Sequence, residues 1–384
     1  MNNHHKNTKK SAKSSDNYPL NQIYFYLTEG CNLRCSHCWI APKYQPEGRT
    51  YPSLDFDLFC SIVEQGKSLG LKGVKLTGGE PFLHPDIHKI IEYLSGEDLR
   101  LTIETNGILC TPELAGEIKK CTNPFVSVSI DGANAETHEY IRGVDGCFES
   151  ALQGIRNLSG EGMKPQVIMS IMNRNKDQIE EVVRLAESLG AGSVKFNIVQ
   201  PTERGEKLHE TGDTLSIEEL IALGKRVEME LSKKTPMRLV YHHPHAFRPL
   251  SRMLGDDRGN CGACGIFGII GVLSDGSYAL CGIGESVEEL TFGHSEKDTL
   301  EDIWKNTEVL KQIREGLPEK LEGICGDCLM KGACLGSCIA QNYYLTKNLL
   351  APFWYCEEAR KKGLFPESRI KGMLTATSKA HTEK

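Results

Sequence analysis

Residues 31–38, Cys31-Asn32-Leu33-Arg34-Cys35-Ser36-His37-Cys38, set three thiols into eight positions at a C-x3-C-x2-C spacing. They follow an apolar, aromatic-rich run at 22–28 (QIYFYLT) that has the composition of a strand. Three thiolates on one loop can hold three irons of a [4Fe–4S] cluster and leave the fourth iron without a protein ligand. Such an iron can chelate the amino and carboxylate groups of a small molecule, and the sulfur shell tunes its potential. A Cys-x2-Cys pair alone would suit zinc equally well. Zinc would need a fourth nearby ligand, and His37 would have to leave the loop's ordinary geometry to supply it.

Outward from this loop, short apolar runs alternate with longer amphipathic stretches. Strands are expected at 22–28, 74–76, 101–104, 125–130, 166–171 and 194–199, and helices at 54–69, 85–94, 112–120, 148–158, 176–189 and 217–231. Pro112 after Thr111, and Ser216 ahead of Glu218 and Glu219, mark two of the helix starts. Six βα units with near-continuous apolar strands predict an α/β fold, a parallel sheet closed or partly closed into a TIM-like (β/α)6 barrel. Chemistry in such folds sits at the C-terminal strand ends. The second strand ends in Thr77-Gly78-Gly79-Glu80-Pro81, the third in Glu104-Thr105-Asn106-Gly107 and the fourth in Ser129-Ile130-Asp131-Gly132. Paired glycines let backbone approach a ligand, Glu80 can accept from an ammonium, and Asn106, Ser129 and Asp131 offer short polar groups across the barrel mouth.

The chain has 384 residues, and its 39% hydrophobic and 25% charged content fits a soluble globular protein with a large domain and a smaller module. A net charge of −6 gives no electrostatic reason to expect nucleic acid or an anionic membrane as partner. The first residues, MNNHHKNTKKSAKSSDN, lack the apolar core of a signal peptide, and the longest apolar run, GIFGIIGVL at 265–273, is too short to span a bilayer. The expected location is cytoplasmic. In that reducing compartment fifteen cysteines point to metal ligation rather than disulfides. Cys60, Cys110, Cys121 and Cys147 lie scattered and are expected as small buried hydrophobes.

Eight further cysteines crowd the C-terminal part: Cys261, Cys264, Cys281, Cys325, Cys328, Cys334, Cys338 and Cys356. Their number fits two four-ligand [4Fe–4S] clusters or two zinc sites equally. A hairpin is expected from 265–273 through Asp275 and Gly276 to 278–281, then a short helix at 299–313. The expected organisation is a tail at 1–19, a catalytic core at 20–232, a linker at 233–258, the cysteine-rich domain at 259–360 and a flexible tail at 361–384.

The loop CNLRCSHC and the TGGEP turn resemble the cluster motif and the S-adenosylmethionine (SAM) amine motif of the radical SAM superfamily, over roughly residues 20 to 232. The resemblance implies a partial (β/α)6 barrel with Cys31, Cys35 and Cys38 on the catalytic cluster and Gly78, Gly79 and Glu80 at the methionyl end of SAM. It further implies Ser129 touching SAM, Arg142 pairing with its carboxylate, and His37 backing the adenine where relatives often place an aromatic. Reductive cleavage of SAM to a 5′-deoxyadenosyl radical, followed by hydrogen abstraction from carbon, is the implied chemistry, with a flavodoxin- or ferredoxin-type reductant. From Cys264 onward the spacing also resembles the SPASM domain of peptide and protein maturases. That implies an inner auxiliary cluster on Cys261, Cys264, Cys281 and Cys338 and an outer one on Cys325, Cys328, Cys334 and Cys356, three clusters in all. Fully ligated auxiliary clusters would carry electrons rather than bind substrate.

The leading expectation is a ribosomally made peptide as substrate, oxidised to a crosslink such as a thioether. Too few residues precede Gln22 for a leader-binding domain, so a separate leader-binding partner is expected. A sulfatase-type formylglycine maturase comes second. Those enzymes carry an acidic base after the third C-terminal cysteine, where this chain reads Tyr278-Ala279-Leu280-Cys281-Gly282. Tetrapyrrole side-chain oxidation is a third option, and a non-catalytic iron–sulfur carrier, which has no need of GGEP, a fourth.

Overall fold

The computed structural model describes residues 18–254 and 264–372. Its first strand, β1 (Gln22–Tyr26), is followed by a two-stranded ribbon of β2 (Gly30–Cys31) and β3 (Lys43–Tyr44) that carries the cysteine loop. Then come β4 (Gly73–Thr77), β5 (Arg100–Thr105), β6 (Phe125–Ser129), β7 (Gln166–Ile171) and β8 (Ser193–Ile198). Strands β1 and β4 to β8 lie side by side in chain order, every pair parallel. Helices return the chain between them: α1 (Phe56–Ser68), α2 (Ile87–Ser95), α3 (Pro112–Lys119), α4 (Ala135–Arg142), α5 (Cys147–Gly160) and α6 (Ile179–Ser188). The six expected strands and helices are all present.

Local chemistry explains the helix starts. Asp55 accepts from Leu58 N–H ahead of α1, and Thr111 caps α3 with Pro112 behind it. Ser216 and Glu219 close a reciprocal capping box on α8 (Ile217–Met229). Phe59, Ile62, Val63 and Gly66 form the buried stripe of α1, and Phe59 meets Phe25 of β1 at 4.4 Å between ring centroids. Burying such a side chain contributes roughly 1.5–3 kcal/mol.

The strands alternate more than a sheet covered on both faces requires. Ile23, Phe25, Val74, Leu76, Leu101 and Ile103 are fully buried, while the intervening positions are polar. Lys75 Nζ lies 2.7 Å from Glu104 and 4.7 Å from the centre of the Tyr24 ring. The barrel interior is therefore a charged lumen.

Within the core, two helices were not anticipated from the sequence. The residues of α4, AETHEYIR, are too polar to show an apolar stripe; Asn134 caps its start and Gly143, at φ 73°, ends it. The other, α7 (Arg204–Glu210), follows β8.

The expected linker contains β9 (Arg238–Tyr241), which extends the parallel sheet beyond β8. Its short LVY run pairs because Tyr241 can bury its ring and donate its hydroxyl to Leu220 O at 2.9 Å. The expected hairpin is present as β10 (Ile269–Val272) and β11 (Ser277–Ala279), followed by β12 (Thr291–His294). Strand β10 pairs in parallel with β1, Gln22 opposite Ile269. The sheet thus runs β12-β11-β10-β1-β4-β5-β6-β7-β8-β9 and does not close. Its first three strands come from the cysteine-rich segment. The described part of the expected C-terminal tail is anchored: Phe365 is buried against Phe247, and Cys328 bridges to Ile370. Among the described residues no helix is long and apolar enough to cross a membrane.

Candidate active site

The cysteine loop is held from outside its own sequence. Arg34 and Ser36 donate backbone N–H bonds of 2.9 Å to the carbonyls of Arg142 and Ile141 at the end of α4. Arg204, the first residue of α7, donates to Pro42 O at 2.7 Å and to Cys35 O at 3.3 Å. Both α4 and α7 therefore serve the loop.

Cys31, Cys35 and Cys38 line one cavity of about 130 Å3 together with Gly79, Glu80, Asn106, Ser129, Arg142 and Arg204. The cysteine loop and the ends of β4, β5 and β6 converge here, joined by Arg142 of α4 and Arg204 of α7. Glycine is required at the turn after β4. Gly78 sits at φ 128°, and a Cβ on Gly79 would lie 1.9 Å from Gly30 O, which itself accepts from Glu80 N–H.

Glu80 is 1% exposed and takes three donors: the Thr105 hydroxyl at 2.6 Å, Asn106 N–H at 2.8 Å and Phe82 N–H at 3.2 Å. Burial nevertheless pushes its carboxyl up to about 7. A ligand ammonium would restore the charged form.

Asp131 stands behind the cavity rather than in it. Fully buried, it accepts Ser170 N–H at 2.8 Å and pairs with Arg142 Nη2 at 2.8 Å and His37 Nε2 at 3.5 Å. Burial raises its carboxyl, but Arg142 and then His37 outweigh that and hold it below its ordinary value. Arg142 spans from Asp131 to Cys35 Sγ, 3.4 Å from Nη1. Burial lowers the His37 imidazole to about 4, so it is neutral at pH 7. Asp131 and His37, read from the sequence as ligand contacts, form a triad with Arg142 under the cysteine loop, Asp131 and Arg142 buried and His37 12% exposed. Thr105 and Arg204 were missed. Thr105 sat inside a motif already noted, whereas only the fold brings Arg204 to the loop.

A second cavity, of about 290 Å3, adjoins the first and shares Pro42 and Gly79 with it. It is lined by Tyr26, Glu29, Lys43, Gly78, Glu203 and Glu285 among others. Glu203 sits at φ 52°, ψ −127°, a sparsely populated conformation, with its N–H on the Tyr344 hydroxyl at 3.3 Å.

In the C-terminal segment Cys325, Cys328, Cys334 and Cys356, the four expected outer-cluster ligands, surround one small cavity walled by Leu321, Ile324 and Phe365. Phe353 N–H points at Cys325 Sγ (3.4 Å) and Met330 N–H at Cys328 Sγ (3.3 Å), donors of the kind that tune cluster sulfurs. Among the described residues no group of three or more His, Cys, Asp and Glu converges to hold a single metal ion. The thiols stand around volumes instead. Of the expected inner ligands, Cys264, Cys281 and Cys338 are mutually close enough that burial, then Cys338, push the Cys281 thiol up to about 12. Cys261 lies outside the described residues.

Gly282 follows Cys281 where a Cβ would lie 2.3 Å from the Tyr26 ring. Gly282→Asp is expected to overpack this contact, costing about 1–3 kcal/mol in urea unfolding, without creating a formylglycine-forming activity. Wild-type stability in that variant would show that the ring yields.

Residues 25–189 match the model of the radical SAM superfamily, and residues 261–329 that of SPASM, an iron–sulfur cluster-binding domain. The AdoMet-dependent heme synthase of Methanosarcina barkeri is 32% identical over 347 residues, 87% of this chain and 95% of that protein. The mycofactocin maturase MftC of Mycolicibacterium smegmatis is 27% identical over 90% of this chain and 84% of its own length. Among solved structures, anSMEcpe with bound AdoMet and the Cp18Cys peptide superposes with a TM-score of 0.67 at 16% identity, over 94% of this chain and 99% of that one. The chain belongs to the radical SAM superfamily, as an enzyme whose core is continued by a SPASM domain. Iron–sulfur clusters and SAM are the cofactors of that architecture.

Proposed function

We propose that this enzyme oxidises a residue of a ribosomally made peptide, using one catalytic and two auxiliary [4Fe–4S] clusters. The observation that carries this reading is the second cavity. At about 290 Å3 it lies at the low end of small-molecule sites (~300–1,000 Å3), room for a side chain and its flanking backbone. Three carboxylates face one lysine across it, and that lysine, Lys43, is already paired with Glu29. A neutral or cationic peptide segment suits such walls.

When bound, the catalytic cluster and SAM supply hydrogen-atom abstraction from an unreactive carbon. The chain's own residues bind and orient. Cys31, Cys35 and Cys38 hold the cluster, Glu80 receives the SAM ammonium, and Arg142 and Ser129 meet its polar groups from the other side. The Gly78–Gly79 backbone permits close approach where the two cavities meet. Arg204 keeps the cysteine loop folded over the cleft. Cys264, Cys281 and Cys338, with Cys261, would hold the inner auxiliary cluster, and Cys325, Cys328, Cys334 and Cys356 the outer one. Both would pass electrons onward, with a flavodoxin- or ferredoxin-type protein as external reductant and a separate partner recognising the leader.

Tetrapyrrole side-chain oxidation is the second reading, favoured by the 32% identity across 95% of the Methanosarcina heme synthase. The carboxylate-rich walls oppose it, because the side chains of such tetrapyrroles are themselves anionic and like charges disfavour one another. Formylglycine formation ranks lower, since Gly282 carries no base. Anaerobic incubation with SAM, dithionite and either candidate substrate separates the readings. A peptide that loses two hydrogen atoms supports the first; turnover of a carboxylated porphyrin with every peptide unchanged refutes it.

A further inference from the structure

The second cavity has one wall on the SAM side, at Gly78 and Gly79, and another formed by Glu285 and Ser286. That second wall belongs to the turn Gly282–Glu285, which leaves Cys281 and packs Gly282 against Tyr26. The turn thus joins the cavity to the inner auxiliary site. Its carboxylate is uncommitted. Glu29 is bound to Lys43, and the Glu203 backbone is tied to Tyr344. The Glu285 side chain makes no hydrogen bond or ion pair among the described residues.

We propose that Glu285 is the proton acceptor for the heteroatom that becomes bonded to carbon in the peptide, an assignment that rests on the peptide reading above. For a cysteine thiol, the S–H bond breaks heterolytically. The proton passes to a Glu285 carboxylate oxygen and the electron pair remains on sulfur. No electron changes hands in this step. Because Glu285 is exposed at the cavity mouth, the proton then leaves to water.

The surroundings suit the role. Crowding by protein first, then the like charges of Asp275 and Glu29, push the Glu285 carboxyl up to about 7 against the opposing pull of Lys43. Glu203 and the Tyr26 hydroxyl complete the titratable groups lining the cavity around it. A base so placed is half ionised near neutrality, where proton transfer is most effective. The position next to Cys281 could not serve. A side chain on residue 282 would occupy the volume of the Tyr26 ring. The carboxylate therefore comes from four residues downstream of the cysteine.

The test uses the anaerobically reconstituted full chain with SAM, dithionite and a library of short cysteine-containing peptides, reading loss of two hydrogen atoms by mass. Wild-type conversion should rise as pH increases through about 7, since only the ionised carboxylate accepts a proton. Glu285→Gln should cut conversion by about 100-fold or more and abolish that rise, and Glu285→Asp should recover part of the rate. Conversion by Glu285→Gln within a few-fold of wild type, with the pH rise intact, overturns the assignment and leaves the peptide reading standing. If no peptide is converted and a carboxylated porphyrin is, the peptide reading falls and the assignment with it. A substrate-free check is carbodiimide coupling at about pH 6.5, which modifies protonated carboxyls. Glu285 should be labelled well ahead of Glu289, which pairs with Lys347 on the surface. Equal labelling also overturns the assignment.

Discussion

Cys35→Ala is expected to abolish 5′-deoxyadenosine formation from SAM and, on the proposed three-cluster reading, to remove about four of about twelve irons from the reconstituted protein. The thiol is central to the loop. It lies between Cys31 and Cys38 on the cavity wall, its carbonyl is held by Arg204 and its sulfur by Arg142. Among the described residues no other cysteine lines this cavity, and the neighbouring Cys147 packs behind the loop. SAM cleavage within tenfold of wild type, about 1.4 kcal/mol of barrier, would be incompatible with the assigned ligand. An unchanged iron count would be equally so.

Arg142→Leu should destabilise the fold by about 3–5 kcal/mol, because it strands the Asp131 carboxylate as a buried, unpaired charge. The lost stability should be visible as a lowered urea midpoint. Asp131→Asn in the same background should recover much of it, since the uncompensated charge is then gone. Arg142→Lys should recover little. One ammonium cannot reach Asp131 and Cys35 in the two directions that the guanidinium spans. Additive losses in the double variant would mean that the pair is not coupled.

Much of this molecule was legible in its motifs, and the reason is local. The C-x3-C-x2-C loop, the Gly78–Gly79–Glu80 turn and the Glu104–Thr105–Asn106 strand end each place ligand-directed groups within a few residues, and strand order brings them to one mouth. Helix starts at Asp55, Thr111 and Ser216 likewise depend on neighbours within one turn. Polar helices defeated the same approach. The face of α4 that matters supplies Arg142 and two carbonyls to the loop, and nothing about its periodicity announces that. Asp131 and His37 looked like ligand contacts because they are polar and lie at a strand end and in a cysteine loop. Asp131 is completely buried and pairs with Arg142, because a buried charge needs a partner, and His37 lies beside that pair.

The sequence by itself determined the family, the three-thiol loop, the parallel α/β core and the cysteine-rich continuation, all of which follow from residue types at short spacing. Tertiary structure alone decided that residues 238–241 and 269–272 extend the two edges of one open sheet, because strand pairing depends on which backbone arrives alongside. It also decided that Glu203 and Glu285, 82 positions apart, face one cavity with Glu29. Charge gathered from distant segments leaves no trace in the spacing of any one of them.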